Sequence, residues 1–488
     1  MLLALVAVAA SAQERYLRRP CVHSTPVAGV TRSELPEPNT QWDPHRTYRQ
    51  AVILVQFADF PFSMDNPKTY YNHLLNLMSS NTYSGAGCAA DYFRDQSGGL
   101  FNLQFDVYGP VYVSQKARVT TGGDNYSVSA VREATRKAVD SLDIDFRPYD
   151  WNNDGEVDQI VYIVSGYSGN TTVSDFVGYT WPNTDWLKPN KIKVGNDLYV
   201  NQYSLSVEKW INDIPCGIGT LCHEFAHCLG LPDLYPVTGS VYSMVDEWDL
   251  MDGGNFTCWG WCPPNFSALE KNLLGWLSFE EISSPCEVND MAPVADGGKA
   301  YKMTKQGNEF YLLENRQQTG WDRGLPGKGL VISHVDYSKS SWQGNLVNTS
   351  YKTRYQLLHA DGMDYDAWEA YCEAHDLSQY ADEDHQMNSR YLSTSAYPLI
   401  TDTLEVHKCT DTPLSLLNIQ MSDAGLISFT ADDGTGIDSP ISARPKDARN
   451  LQSQTSNLKT FDLFGRKLNG NPTRKGVYIQ NKRKIIVR

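Results

Sequence analysis

The chain of 488 residues lacks an apolar run long enough to cross a bilayer, lacks any Cys-x-x-Cys pair among its ten cysteines, and lacks a basic surplus ahead of its C-terminal tail. A spanning helix needs about 20 consecutive apolar residues, so no integral membrane span is expected. The lack of Cys-x-x-Cys ligand pairs argues against a cysteine-based zinc cluster. The net charge is −15, yet Ile437 to Arg488 hold 12 Lys and Arg against 3 Asp, so the preceding residues carry −24. An acidic body of that kind argues against nucleic acid as a partner. What is present, 41% hydrophobic and 20% charged residues, is a globular composition with length enough for two or three cores.

Histidine is scarce too, at ten residues, and two of the ten stand four apart in Leu221-Cys222-His223-Glu224-Phe225-Ala226-His227-Cys228-Leu229-Gly230-Leu231-Pro232-Asp233. On a helix, positions i and i+4 share a face, which is the spacing one zinc ion requires of two imidazoles. Zinc lowers the pKa of bound water to about 7, and Glu224, beside the first histidine, is placed to accept its proton. Ile218, Leu221, Cys222, Phe225 and Leu229 follow the i, i+3, i+4, i+7 pattern. One helix face is therefore expected to be buried and the other to bind the metal. Gly230 and Pro232 end the helix, and the turn can carry Asp233 back to the same ion as a third zinc ligand. Glu247 and Glu270 lie near enough in sequence to compete with Asp233 for that role.

His223 to Asp233 follow the HExxHxxGxxH pattern of metzincins, with Asp233 at the third histidine position. Together with Leu234-Tyr235 and the later Trp248-Asp249-Leu250-Met251-Asp252-Gly253-Gly254, they resemble the immune inhibitor A family of secreted bacterial metallopeptidases. Similar segments begin at Ala51-Val52-Ile53-Leu54-Val55-Gln56-Phe57. They continue through Asp91 to Ser97, Phe105 to Pro110, Pro263 to Lys271 and Leu274-Gly275-Trp276, then Phe310 to Arg316 and His334 to Tyr337. The resemblance implies an α+β fold: a metzincin-like zincin catalytic domain at 50–280, with a mixed sheet plus the active-site helix, followed by β-sandwich-like modules across 281–436. It further implies a secreted zinc metalloendopeptidase acting on proteins or peptides, with Glu224 as general base. Met251 would be the thioether floor beneath the metal, with Met244 as its rival.

A second candidate metal site lies upstream. Asp150, Asn152, Asp154, Glu156 and Asp158 place oxygen-bearing side chains at alternate positions around Gly155, as a calcium loop does. The same residues also suit a solvated turn before a strand.

The two ends are expected to carry targeting and processing segments. Residues 1–12 read as a signal peptide closing on a small-x-small site, and 13–49 as a pro-like segment. Within it Cys21 is a candidate latency thiolate for the open zinc position. Residues 437–488 read as a linker and short strands that resemble, in reduced form, the C-terminal sorting domain of the Por secretion system, whose export machinery would be a partner. Export permits disulfides among the ten cysteines, including a bridge bracing the site from Cys216, Cys222, Cys228, Cys258 or Cys262. Tyr235 and Tyr242 are within reach of an oxyanion role, and neither is assigned. The rival readings are a non-catalytic surface adhesin or glycan-binding protein that retains the fold, and a zinc hydrolase acting on something other than proteins.

Overall fold

The computed structural model describes residues 34–78, 86–119, 128–170, 175–187, 190–210, 213–237, 244–349, 351–362, 394–401 and 404–434, and in the tail the backbone of 460–462, 467–468, 476–480 and 483–487. The signal-peptide reading, Cys21 and Tyr242 lie outside these residues.

The chain opens on β1 (Thr47–Gln56), whose stretch from Ala51 to Val55 is wholly buried. Such an uninterrupted apolar run suits a strand covered on both faces. It pairs in parallel with β2 (Asn102–Tyr112) on one side and with β4 (Ile160–Tyr167) on the other. Between β2 and β4 in sequence lies the short β3 (Glu156–Val157). Three further strands follow: β5 (Asn183–Trp186), β6 (Ile192–Gly195) and β7 (Leu198–Val200). β8 (Gln202–Lys209) runs parallel to β4, and β5 is antiparallel to β8 at the sheet edge. The order β2-β1-β4-β8-β5 makes this a mixed sheet. Alternation along β1 feeds two cores. Val52 and Leu54 join Phe93, Phe105 and Phe225 on one face, while Ala51, Ile53 and Val55 join Val131, Ala134 and Ala138 of helix Val128–Ser141 on the other.

Beyond residue 278 strands are the main regular elements among the described residues, beginning with β9 (Phe279–Glu281), β10 (Cys286–Met291), β11 (Ala300–Gln306), β12 (Glu309–Arg316), β13 (Gly329–Asp336) and β14 (Tyr355–Leu357). A five-stranded sheet has the order β14-β13-β12-β11-β9, and β10 joins the strands Ser415–Met421 and Ile427–Asp432 in a three-stranded one. Tyr311 and Leu313 of β12 face the three-stranded sheet in a core with Val288, Ile419 and Phe429. Phe310 and Leu312, one residue out of phase, enter the core that also contains Phe225. The period of two thus buries β12 from both sides, and it welds the strand-rich region to the helix-bearing one. A buried ion pair reinforces the join: Arg316 binds Asp322 through two bonds of 2.7 and 2.8 Å, and donates to the Asn265 carbonyl at 3.1 Å. Residues up to Leu399 and from Val406 to Gly434 form one compact unit, and a boundary near 280 falls inside it. The tail belongs to a second unit, in which Thr460–Asp462, Lys467–Leu468, Gly476–Gln480 and Arg483–Val487 form an antiparallel four-stranded sheet.

Candidate metal centre

The helix Gly219–Cys228 carries the two histidines. The sequence pattern predicts one buried face and a metal-binding face opposite, and in the structure Gly219 to His227 are all buried, the metal-binding face included. The reason is that the helix packs on β8 from one side and on the turn Gly253–Gly260 from the other. A Cβ at Gly219 would meet the Asn255 carbonyl oxygen at 2.1 Å, so only glycine permits that approach. Phe225 packs on Phe93 as a tilted pair with ring centroids 4.7 Å apart, and burial of a ring of that size contributes about 1.5–3 kcal/mol. At the far end Gly230 has φ +97°, and a Cβ there would sit 2.5 Å from the Pro36 carbonyl oxygen. This left-handed residue ends the helix and reverses the chain, returning Asp233 to the histidines.

His223 Nδ1 lies 2.8 Å from the carbonyl of Leu250, and His227 Nδ1 lies 2.7 Å from that of Leu231. A carbonyl only accepts, so each Nδ1 carries the proton and each Nε2 presents a lone pair. The two Nε2 atoms are 3.2 Å apart, and Asp233 Oδ1 is 3.3 Å from the first and 3.2 Å from the second. Ligands at about 2.0–2.1 Å from a tetrahedral zinc are about 3.3 Å from one another, so the triangle fits that ion. Among the described residues this is the one group of three such side chains whose ligand atoms converge, and Glu247 and Glu270 are not in it. Glu270 instead accepts from the amide and hydroxyl of Ser267 as part of a helix cap. Burial pushes the His223 pKa down, but the Asp233 hydrogen bond and the Glu224 charge outweigh it and hold the value up at about 9. The carboxylates of Asp233 and Glu224 thus favour a positive charge at His223 Nε2, which a proton supplies when no metal does and which a metal ion would replace.

Glu224 is fully buried and faces β5, where Thr184 Oγ1 lies 2.7 Å from its carbonyl and 3.0 Å from its Oε2. Met251 is buried beside Leu250, and its carbonyl accepts the Leu234 amide at 2.8 Å, so the turn is tied to the chain just after Asp233. Met244 is buried as well. Tyr235 is buried near the same turn. Sequence reasoning missed Thr184 and also Asn345, whose side chain grips Asp233 from 112 residues away. Neither position carries a local signal, because each is brought in by a distant strand or turn.

The loop from Asp150 to Asp158 is organised by its own backbone. Asp150 accepts from the amides of Asp154 and Gly155, Asn152 from Asp154, Asp154 from Glu156, and Asp158 from Trp151. Glu156 turns outward to Lys191 and Asn201. Burial, then the charges of Asp150 and Asp154, push the Asp158 carboxyl up to about 6. Among the described residues the loop's carboxylates do not form a group of three with converging ligand atoms, and calcium has no support here. Nor is a bridge seen at the site: Cys88, Cys216, Cys222, Cys228, Cys258, Cys262, Cys286 and Cys409 are free thiols. Cys216 and Cys222 lie in cores on opposite faces of the sheet, which keeps them apart. Of the pro-like segment, Leu35 donates to the Gln343 carbonyl at 2.7 Å and Trp42 Nε1 to that of Leu274 at 2.6 Å.

Comparison with known proteins agrees with the resemblance read from the motif. Residues 184–276 match the model of the immune inhibitor A peptidase M6 catalytic domain. Immune inhibitor A of Bacillus thuringiensis subsp. alesti is 25% identical over 286 residues, 47% of this chain and 41% of that protein. Pre-pro-metalloprotease PrtV of Vibrio cholerae serotype O1 (strain M66-2) is 25% identical over 296 residues, 49% of this chain and 31% of that protein. The matches therefore span less than half the length of these relatives. A solved structure, metalloproteinase-II from Bacteroides fragilis, is 14% identical, covers 52% of this chain and 58% of that chain, and has a TM-score of 0.23. Among the described residues no helix is long and apolar enough to cross a membrane.

Proposed function

We propose that this chain, whose residues 184–276 match a peptidase M6 catalytic domain, is a zinc-dependent metalloendopeptidase in which His223, His227 and Asp233 hold the metal and Glu224 is the general base. The observation that carries the reading is the triangle of ligand atoms with edges of 3.2–3.3 Å among three fully buried side chains. Bound zinc would supply Lewis acidity toward a scissile carbonyl and acidify water to a pKa of about 7. The rest falls to the chain itself. The carbonyls of Leu250 and Leu231 keep both imidazoles in the tautomer that ligation requires. Glu224 takes the proton of the attacking water and returns it to the leaving amine. Thr184 Oγ1, 2.7 Å from the Glu224 carbonyl and 3.0 Å from Oε2, shares its one proton between them and braces the carboxylate against its own main chain. Met251 forms the apolar floor, in the manner of a metzincin.

The substrates are proteins or peptides, and the chain is exported, with its basic tail as the address that the export machinery reads. Intact His223, Glu224 and His227 count against a non-catalytic adhesin. The test is casein cleavage by the full chain with a chelator, then with zinc restored, alongside Glu224→Ala. Cleavage should stop with the chelator, return with zinc, and be lost in the variant while its zinc content stays near one per chain. Undiminished chelator-sensitive cleavage by Glu224→Ala would remove Glu224 from its role, and cleavage indifferent to chelator would end the zinc reading.

A further inference from the structure

The third ligand is held by a residue far outside the motif. Asn345 follows the short helix Lys339–Gln343, is almost wholly buried and has φ +54°. Its Nδ2 donates to Asp233 Oδ2 at 2.6 Å, and its Oδ1 accepts the Asp233 backbone amide at 2.6 Å. One carboxamide thus engages both the carboxylate and the main chain of the same aspartate. We infer that Asn345 is a positioning residue for metal binding: it selects which Asp233 oxygen faces the histidines and fixes the plane of the carboxylate. The inference rests on the zinc reading above.

The chemistry of the donor explains the choice of asparagine. Occupying Oδ2 with an N–H leaves Oδ1 directed at the two Nε2 atoms, 3.2 and 3.3 Å away. An ammonium or guanidinium at the same place would pair with the carboxylate and weaken it as a ligand, whereas a neutral amide orients it and leaves its charge to the metal. The grip is anchored in turn. Asn348, three residues on, donates to the carbonyls of Leu234 and Tyr355 at 2.7 and 2.8 Å and accepts the amides of Arg354 and Tyr355. Segment 345–348 is thereby pinned to β14 as well as to the turn after Asp233. The strand-rich region therefore completes the site rather than merely following it.

Two full-length variants separate positioning from bulk stability. Asn345→Gly keeps the left-handed backbone without strain and deletes the carboxamide. Asn345→Asp keeps the shape and replaces the donor with an oxygen that repels Asp233. Each is compared with the parent and with Asp233→Ala by zinc competition against a chromophoric chelator and by the visible spectrum after cobalt substitution. Outer partners of metal ligands typically account for about 10–100-fold in affinity, so both variants should bind zinc about 10–100-fold more weakly and show a changed cobalt spectrum. If Asp233→Ala loses zinc while both Asn345 variants bind within twofold of the parent with an unchanged cobalt spectrum, the inference is overturned and the zinc reading stands. If the parent itself binds neither metal, the zinc reading falls and takes the inference with it.

Discussion

His223, His227 and Asp233 on one side, and the loop from Asp150 to Asp158 on the other, are both clusters of metal-ligand side chains a few residues apart, yet they meet different fates. In the first, backbone carbonyls engage only the Nδ1 atoms, and the remaining ligand atoms face each other at 3.2–3.3 Å in a fully buried pocket. In the second, four side chains are taken up by amides of the loop itself and the fifth turns out to a lysine. A helix saturates its own backbone, so its side chains have no local amides to satisfy and can be aimed together at an ion. A loop has unpaired amides, and Asp and Asn close on them.

This contrast can be broken from either side. The largest effect is expected at the base. Glu224→Gln should lower kcat by about 10²–10⁴-fold with zinc retained, read by casein cleavage and metal analysis. Next comes the ligand itself: Asp233→Ala should weaken zinc by more than the about 10–100-fold typical of an outer partner, whereas Asp154→Ala should leave zinc affinity unchanged. Equal losses in the two would erase the distinction between the clusters.

A smaller effect belongs to the orienting hydroxyl. Thr184→Val should cost about tenfold in kcat/KM, as expected for one hydrogen bond to a charged group, with zinc affinity intact. Weaker zinc in that variant would place Thr184 in the metal's support instead.

The loop should respond to pH rather than to metal. The Asp158 carboxyl is raised to about 6, chiefly by burial and then by Asp150 and Asp154. A raised carboxyl contributes stability when protonated: the contribution is complete below about pH 4, where the group is protonated folded or unfolded, and is lost as pH rises through about 6. Asp158→Asn should therefore be more stable than the parent by about 1–2 kcal/mol at pH 8 and no different at pH 4, measured by urea unfolding. The smallest effect is calcium itself, at millimolar levels: a Tm moved by less than about 1 °C fits a self-satisfied loop, and a rise of several degrees would restore it as a binding site.

Several elements were legible without coordinates because their signals are local. The C-terminal tail reads as short strands, and Thr460–Asp462, Lys467–Leu468, Gly476–Gln480 and Arg483–Val487 are strands. The i, i+3, i+4, i+7 pattern reads as a helix, and Gly219–Cys228 is one. Periodicity also misled, since a pattern records which positions are apolar and says nothing of what covers the others. The face expected to bind the metal is covered as well, by Thr184 against Glu224, by the Leu250 carbonyl at His223 and by Asp233 at both histidines, so His223, Glu224 and His227 are as buried as Phe225. Glu270 looked like a rival ligand by its distance along the chain, but it caps its own helix through Ser267.

By itself the sequence determined the chemistry available at the centre: two imidazoles one helical turn apart, a carboxylate beside the first, and a glycine and an aspartate to bring the chain back. Those follow from backbone geometry over thirteen residues. Tertiary structure decided what makes the group a site, namely which carbonyls set the tautomers, which hydroxyl holds Glu224 and which carboxamide aims Asp233. Thr184 and Asn345 reach the centre through strand pairing and packing across 40 and 112 residues. Contacts of that range depend on the whole core having formed, and no local pattern encodes them.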